Sequence, residues 1–176
     1  MPKCTRDKVA LECAEIDPVL HDLRHRAERF KERLCIPSGE VEDSFARQTV
    51  MATIGASITR VEQGEVTVEI PFRSDLTQQH GFLHAGVVTM IVDSACGYAA
   101  LTRMPASAAV LTVEYKVNFL SPAEGEKLIA RGRVLKPGRS LTVCFGEVHA
   151  KKDGKEKLVA TMLATMAARE ETGLAD

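Results

Sequence analysis

Residues 83–101 read LHAGVVTMIVDSACGYAAL, the most informative segment of the 176-residue chain for its architecture. Its apolar positions recur at helical spacing, and Asp93 is the only acid within it. Many of its other positions hold alanine, glycine or serine, and such small side chains let a second backbone approach closely. We therefore predict a long, mostly buried helix that other elements surround.

Two strand patterns precede this predicted helix. Residues 57–61 and 66–70 alternate apolar and polar side chains, and Gln63-Gly64 between them is typical of a turn. Residues 71–81 are polar and are expected to form a loop. These segments predict a hairpin that leads through a loop into the helix.

Four more strand patterns follow the helix, separated by turn sequences at residues 121–122, 137–138 and 153–154. Antiparallel hairpins on both sides of one buried helix predict an α+β fold in which the sheet curls around that helix. Strict alternation in the first of these strands predicts that one face carries Leu111, Val113, Tyr115, Val117 and Phe119, and the other Thr112, Glu114, Lys116 and Asn118.

Two further helical patterns lie near the N-terminal end. One begins at Asp17-Pro18, an N-cap residue followed by proline, and stops before Pro37. The other runs from Val41 to near Gly55. We predict an N-terminal helical extension over residues 1–48, a main domain over residues 49–170 and a C-terminal tail over residues 171–176.

Composition narrows the function classes. The chain has 23 Lys and Arg against 24 Asp and Glu, so its net charge of -1 provides no field that would hold nucleic acid or an anionic membrane. The five cysteines contain no C-x-x-C pair, the first residues lack the apolar run of a secretory signal, and the longest apolar stretch contains a charge. We expect a cytoplasmic protein with reduced thiols, no membrane span, no nucleic-acid partner and no cofactor.

Metal binding is not expected from the histidines. His21 and His25 are four residues apart but have no obvious third ligand. His80 and His84 share that spacing, but His80 is expected in the loop before the helix, in a solvated or turn-capping role. His149 is expected on the surface of a strand.

The segment from His80 into the long helix is the candidate reactive site. A helix N-terminus presents free backbone N–H groups and a positive dipole end, which suit an oxyanion. Asp93 either acts as an acid whose burial raises its basicity or serves as a partly exposed residue bonded to the backbone. His84 and Asp93 are nine residues apart, about 13.5 Å along a helix and facing opposite ways. If they form one site, two antiparallel copies of the chain share it.

Three segments together resemble a known family. The pattern Gln78-x5-His84-Ala-Gly-x6-Asp93, then LTVEYKVNFLSPA at residues 111–123 and RVLKPGRS at residues 133–140, is similar to the hotdog-fold acyl-CoA thioesterases of the phenylacetate-degradation (PaaI-like) type. The similarity covers roughly residues 45–168. It implies a hotdog fold, in which a curved antiparallel sheet wraps a long central helix. It also implies homodimers or dimers of dimers, with active sites at the subunit interface.

The resemblance implies a role for each matching residue. Asp93 matches the catalytic carboxylate, acting as general base or as nucleophile, and Thr112 matches a hydroxyl that orients the water or the acid. Ala85 stands where a glycine N–H polarises the thioester carbonyl. Gln78 occupies the place of an Asn or Gln that holds the water or the leaving group, and His84 begins the family's His-Gly-Gly turn. The family places Asp93 and Thr112 opposite the other three residues of the second subunit.

Substrate contacts are expected at Gly86 and at Arg139, whose cation would meet the phosphates of coenzyme A. Two positions depart from the family pattern. Alanine replaces the first glycine of the turn at residue 85, and Gln78 is one methylene longer than Asn. Both departures bear on rate and substrate range more than on the class of reaction.

The predicted function is hydrolysis of an acyl-CoA thioester to a free acid and coenzyme A, without a metal or redox cofactor. One alternative is a hotdog hydratase or dehydratase, which pairs a histidine with an acid to move a proton alpha to the thioester. The other is a noncatalytic acyl-CoA-binding regulator whose N-terminal helices contact a protein or cap an assembly. The charge of -1 on those helices argues against contact with DNA. Release of free thiol, formation of an enoyl product or binding alone would separate the three.

Overall fold

A computed structural model describes residues 21–22 and 36–169 of the chain. The chain divides into two units, residues 1–34 and 35–176, and the second is the subject here. The helix predicted between Asp17 and Pro37, and His25 within it, lie almost wholly outside the described residues. The predicted boundaries of the extension, the main domain and the tail stay predictions.

Residues 36–169 form one antiparallel sheet around a long helix. The six strands are hydrogen-bonded in the order β1-β2-β4-β5-β6-β3, so β1 and β3 are the two edges. The predicted α+β class and hotdog architecture are confirmed. In chain order the elements are α1 (Ser38–Ala46), α2 (Thr49–Ile54), β1 (Ser57–Glu62), β2 (Glu65–Pro71), a 3-10 turn (Ser74–Leu76), α3 (Ala85–Leu101), β3 (Ala109–Phe119), β4 (Lys127–Lys136), β5 (Leu141–Lys152) and β6 (Lys155–Arg169).

Two glycines let the sheet pack closely on α3. Gly132 of β4 and Gly146 of β5 are directly paired across the sheet. A Cβ atom at Gly132 would overlap the backbone of Ala95, and one at Gly146 would overlap Cγ2 of Val92 and lie 2.8 Å from Sγ of Cys96. All three α3 residues are fully buried. The small residues of the helix predicted this close approach. It depends equally on glycine, which has no side chain, at these two positions of the sheet.

The N-terminal helices of this unit cover the C-terminal half of α3. The hydroxyl of Tyr98 lies 3.1 Å from Oγ of Ser44 and accepts a 3.1 Å hydrogen bond from Nε2 of Gln48. The ring of Phe45 packs edge-on against Tyr98 with centroids 5.6 Å apart. This buried polar pairing fixes α1 on the central helix.

The single helical segment predicted from Val41 to Gly55 is two helices. The N–H groups of Arg47 and Gln48 bond to carbonyls three residues back, which tightens the chain and ends α1. α2 then begins at residue 49 and ends before Gly55, whose φ of 74° is the left-handed conformation typical after a helix.

A β-bulge in β3 changes which of its side chains face α3. The register of β3 against β6 shifts after Thr112, which leaves Val113 as an extra residue. Directly opposed residues of antiparallel strands share a face. Thr112 opposes Met166, and beyond the bulge Tyr115 opposes Ala164. Both β6 residues are buried, so Thr112 and Tyr115 lie on the helix side of the sheet.

The uniform alternation predicted for residues 111–119 is therefore wrong at its start. Leu111 lies on the outer face and Thr112 on the same side as Tyr115, because one inserted residue reverses the alternation.

In the described part of the chain, no helix has both the length and the hydropathy to cross a bilayer.

Candidate active site

The first turn of α3 is capped by the side chain of His84. Residue 84 is extended, with φ −61° and ψ 139°, and its Nδ1 accepts a 2.9 Å hydrogen bond from the N–H of Gly86. Because Nδ1 is an acceptor, the proton of the neutral ring lies on Nε2. A Cβ atom at Gly86 would lie 3.1 Å from Nδ1, so glycine suits this contact. This bond orders the turn, and the catalytic role of His84 stays a prediction.

The N–H of Ala85 is the free donor of this turn. Ala85 is the first residue of α3, and its N–H bonds to no acceptor within residues 36–169. The neighbouring N–H of Gly86 is occupied by His84. An exposed N–H at the positive end of a helix is suited to a developing oxyanion. The role of Gly86 in substrate binding stays a prediction.

Gln78 is positioned by a tight turn that returns the chain to α3. Its N–H bonds to the carbonyl of Phe82 at 2.8 Å, and Gly81 within the turn has a φ of 83°. The side-chain Oε1 of Gln78 accepts from the N–H of His80, which lies exposed in this loop as predicted. A groove of about 190 Å³ joins Gln78 to Ala85, and its other lining residues include Phe82, Phe119, Pro122 and Val159.

Asp93 and Thr112 form the second group. Oγ1 of Thr112 donates a 2.9 Å hydrogen bond to Oδ1 of Asp93. Burial raises the pKa of Asp93 above its ordinary value, and the hydrogen bond from Thr112 opposes part of that rise. Asp93 forms no ion pair with any described residue. A partly buried carboxylate without a cation is a stronger base than an exposed one.

Met166 is a contact that the sequence did not single out. Its Sδ lies 3.5 Å from Oγ1 of Thr112, and the residue is fully buried on β6 beneath that hydroxyl. No local signal marks it, because it is one apolar residue in a strand of apolar residues. It supports Thr112 on the side away from solvent.

One chain does not bring all the predicted residues together. Gln78, His84 and Ala85 lie at the N-terminus of α3, whereas Asp93 is eight residues along from Ala85, about 12 Å of helical rise. A small carbonyl group cannot reach both from a single chain. The described residues therefore give two half-sites rather than one closed site.

Among the described residues, no hydrogen bond or ion pair joins the remaining candidates to either group. Arg139 is exposed in the hairpin between β4 and β5. Nδ1 of His149 lies 3.2 Å from a guanidinium nitrogen of Arg131, which also forms a two-pronged ion pair with Glu156. Within the described residues, no group of histidine, cysteine and acidic side chains could hold a metal ion. The thiols of Cys96 and Cys144 are buried.

Comparison with known proteins places the chain in a family. Residues 80–157 match the thioesterase superfamily. An esterase candidate from Saccharolobus solfataricus is 33% identical over 68% of this chain and 84% of its own length. The 1,4-dihydroxy-2-naphthoyl-CoA hydrolase of Listeria monocytogenes is 25% identical over 68% of this chain and 94% of its own length.

Solved structures agree with this assignment. A thioesterase family protein from Silicibacter pomeroyi is 58% identical, covers 73% of this chain and 94% of its own, and superposes with a TM-score of 0.72. The PaaI protein of Escherichia coli, from the phenylacetic acid degradation operon, shares the fold with a TM-score of 0.66 at 19% identity, over 72% of this chain and 88% of its own. The resemblance seen in the sequence is confirmed, and the chain belongs to the thioesterase superfamily.

Proposed function

We propose that this protein hydrolyses acyl-coenzyme A thioesters at sites that two subunits share. The observation that carries the proposal is Asp93, a partly buried carboxylate with a raised pKa, a hydroxyl partner and no ion pair among the described residues. The Listeria relative, a naphthoyl-CoA hydrolase by name, supports coenzyme A as the thiol. The predicted cytoplasmic location is part of this proposal.

The reaction requires a base, an attacking oxygen and a place for negative charge. Ionised Asp93 takes a proton from water, and the water oxygen attacks the thioester carbonyl carbon. Negative charge develops on the carbonyl oxygen beside the N–H of Ala85. The C–S bond then breaks, the thiolate takes up the proton, and a carboxylic acid and free coenzyme A leave. If Asp93 itself attacks, a mixed anhydride forms and water hydrolyses it in a second step.

A two-fold pair of subunits would complete the site. Antiparallel copies of α3 place Asp93 and Thr112 of one subunit opposite Gln78 and Ala85 of the other. Within one chain, eight residues of helix, about 12 Å of rise, separate Ala85 from Asp93. In the antiparallel pair, the two residues that meet come from different chains, so this separation no longer keeps them apart.

The edge strand β3 supports such a pair. Val113 is 58% exposed and Tyr115 and Phe119 are each 49% exposed, so the strand presents apolar side chains along an unpaired edge. The opposite edge, β1, carries Arg60 and Glu62 in an exposed ion pair, which discourages strand addition there. Pairing of β3 with a second copy would bury the apolar edge.

The hydratase alternative is less well supported. Its base would have to be His84, but Nδ1 of that ring accepts a hydrogen bond from its own helix. The remaining ring nitrogen then carries the proton and cannot accept another. Thioester hydrolysis needs no basic histidine here.

The test is a screen of acyl-CoAs with purified full-length protein, with free thiol detected by a chromogenic disulfide. Thiol release by the wild-type protein that is lost in Asp93→Asn supports the proposal. Formation of an enoyl product, or binding of acyl-CoA without turnover, contradicts it. In a single turnover in 18O-labelled water, mass spectrometry that finds the label in Asp93 peptides identifies Asp93 as the nucleophile, because water has then attacked the Asp93 carbonyl of the anhydride.

A further inference from the structure

We infer that Met90 limits the length of the acyl group at this site, an inference that rests on the proposed function. Met90 lies on α3 three residues before Asp93 and about 60° round the helix from it. Its side chain is partly buried and packs against the margin of the hydrophobic core. It is therefore a large apolar side chain beside the carboxylate, one turn nearer the N-terminus.

Met90 belongs to the open side of α3. Ile91 and Val92 are completely buried against the sheet, whereas Thr89, Met90 and Asp93 are only partly buried. In the proposed pair of subunits, this open side faces the second copy of the helix. Substrate bound at Asp93 thus lies against the same side of the helix as Met90.

The shared site determines where the two helices cross. Asp93 of one subunit and Ala85 of the other approach the same carbonyl group. Two antiparallel helices related in this way have their two-fold axis midway between these positions, at residue 89. That point is four residues, about 6 Å of helical rise, from both Ala85 and Asp93. Residue 90 lies about 1.5 Å along the helix from that point and about 60° round it from Asp93, so the Met90 side chains of both subunits lie at the level of the axis, between the two sites.

Thr89 occupies this midpoint. Oγ1 of Thr89 donates a 2.9 Å hydrogen bond to the carbonyl of Ala85, so its proton is used within the helix. A methionine side chain is flexible and fills irregular gaps. An acyl chain that follows the interface from its carbonyl would meet the two methionines after about 6 Å. The site should therefore accept short acyl chains and exclude long ones.

The experiment measures kcat/KM over a series of straight-chain acyl-CoAs, from acetyl to palmitoyl. Met90→Ala should raise kcat/KM about tenfold for chains longer than the wild-type optimum, and Met90→Phe should lower it about tenfold at that optimum. The matched control is Leu163→Ala, which truncates a 51% exposed apolar side chain on the outer face of β6. Its length profile should equal that of the wild-type protein.

The outcomes separate this inference from the proposed function. Thiol release by the wild-type protein with an unchanged length profile in both Met90 variants overturns the inference alone. A uniform fall at every chain length, with a lower melting temperature, marks Met90 as structural and also overturns it. If the wild-type protein releases thiol from no acyl-CoA, the proposed function itself fails.

Discussion

Oγ1 of Thr112 donates a 2.9 Å hydrogen bond to Oδ1 of Asp93, and this bond joins the edge strand β3 to the middle of α3. It is the polar contact between the proposed catalytic carboxylate and the sheet. The bulge after Thr112 makes the contact possible, because it turns the hydroxyl toward the helix.

Asp93→Asn should abolish hydrolysis while making the protein more stable. Burial raises the pKa of Asp93, so the folded state holds the proton more tightly than the unfolded chain does. The stability that protonation of Asp93 contributes is fully present below the pKa of Asp93 in the unfolded chain. It is lost as the pH rises through the pKa of Asp93 in the folded protein. At neutral pH the buried charge is therefore unfavourable, and neutral Asn removes it. We expect a fall in kcat of about 100-fold or more, and a higher melting temperature at pH 7.

The difference in melting temperature between the two proteins should shrink as the pH is lowered, because Asp93 then becomes neutral as well. Calorimetry across pH checks this dependence. A melting temperature for Asp93→Asn below that of the wild-type protein at pH 7 would contradict the role assigned to burial.

Thr112→Val should shift the pH dependence of the reaction. The hydrogen bond from Thr112 lowers the pKa of Asp93, so removing the hydroxyl raises that pKa further. The acid limb of kcat/KM should therefore move to higher pH, with about tenfold lower activity near neutrality. Thr112→Ser keeps the hydroxyl and is the matched control. A pH profile identical in the Val and Ser variants is the result that would rule out this coupling.

Ala85→Pro should remove the oxyanion donor without unfolding α3. Proline is well tolerated at the first helical position, and His84 before it already has an extended conformation compatible with a following proline. We expect kcat to fall about 100- to 1,000-fold. Ala85→Gly retains the N–H and should keep most of the activity. Circular dichroism of both variants verifies that the helix is intact.

Mixing two inactive variants tests whether subunits share the site. In a heterodimer of Asp93→Asn and Ala85→Pro, one site receives both wild-type residues if each site draws on two chains. Random exchange of subunits should then restore about one quarter of wild-type activity. Sites contained within single chains would yield no restoration, and that result would reject the shared arrangement.

Arg139→Ala should weaken binding of coenzyme A esters selectively. Arg139 is exposed at the β4–β5 hairpin and forms no ion pair with a described residue. An exposed cation that meets a phosphate contributes modestly, so KM should rise by up to about fivefold at low salt. An N-acetylcysteamine thioester of the same acid, which lacks the phosphates, should show no change. Equal effects on both substrates would argue against phosphate contact.

Gly132→Ala should destabilise the fold strongly. Its Cβ would lie 2.3 Å from backbone of α3, and neither the helix nor the sheet can move there without disturbing the other. We expect the free energy of unfolding to fall by about 1–3 kcal/mol or more. Gly39→Ala, in α1 with no atom within 4 Å of the added Cβ, should change it by less than about 1 kcal/mol. Urea titration of both variants measures the difference.

The secondary-structure elements and the candidate reactive residues could be predicted from the sequence. Helical spacing located α3 to within two residues, and period-two alternation with turn residues located the strands, because these patterns are local. The sequence also identified Asp93, as the one acid in an apolar helix, and a helix N-terminus suited to negative charge. The nine-residue spacing of His84 and Asp93 already indicated two half-sites, since helical rise is fixed by backbone geometry.

Features that depend on contacts between distant segments could be seen only in the folded chain. The bulge that turns Thr112 toward Asp93 arises from the pairing of β3 with β6, and alternation alone predicted the wrong face for it. The role of the paired glycines of β4 and β5 is seen only in their packing against α3. A glycine allows close packing only where another segment occupies the space that a side chain would fill.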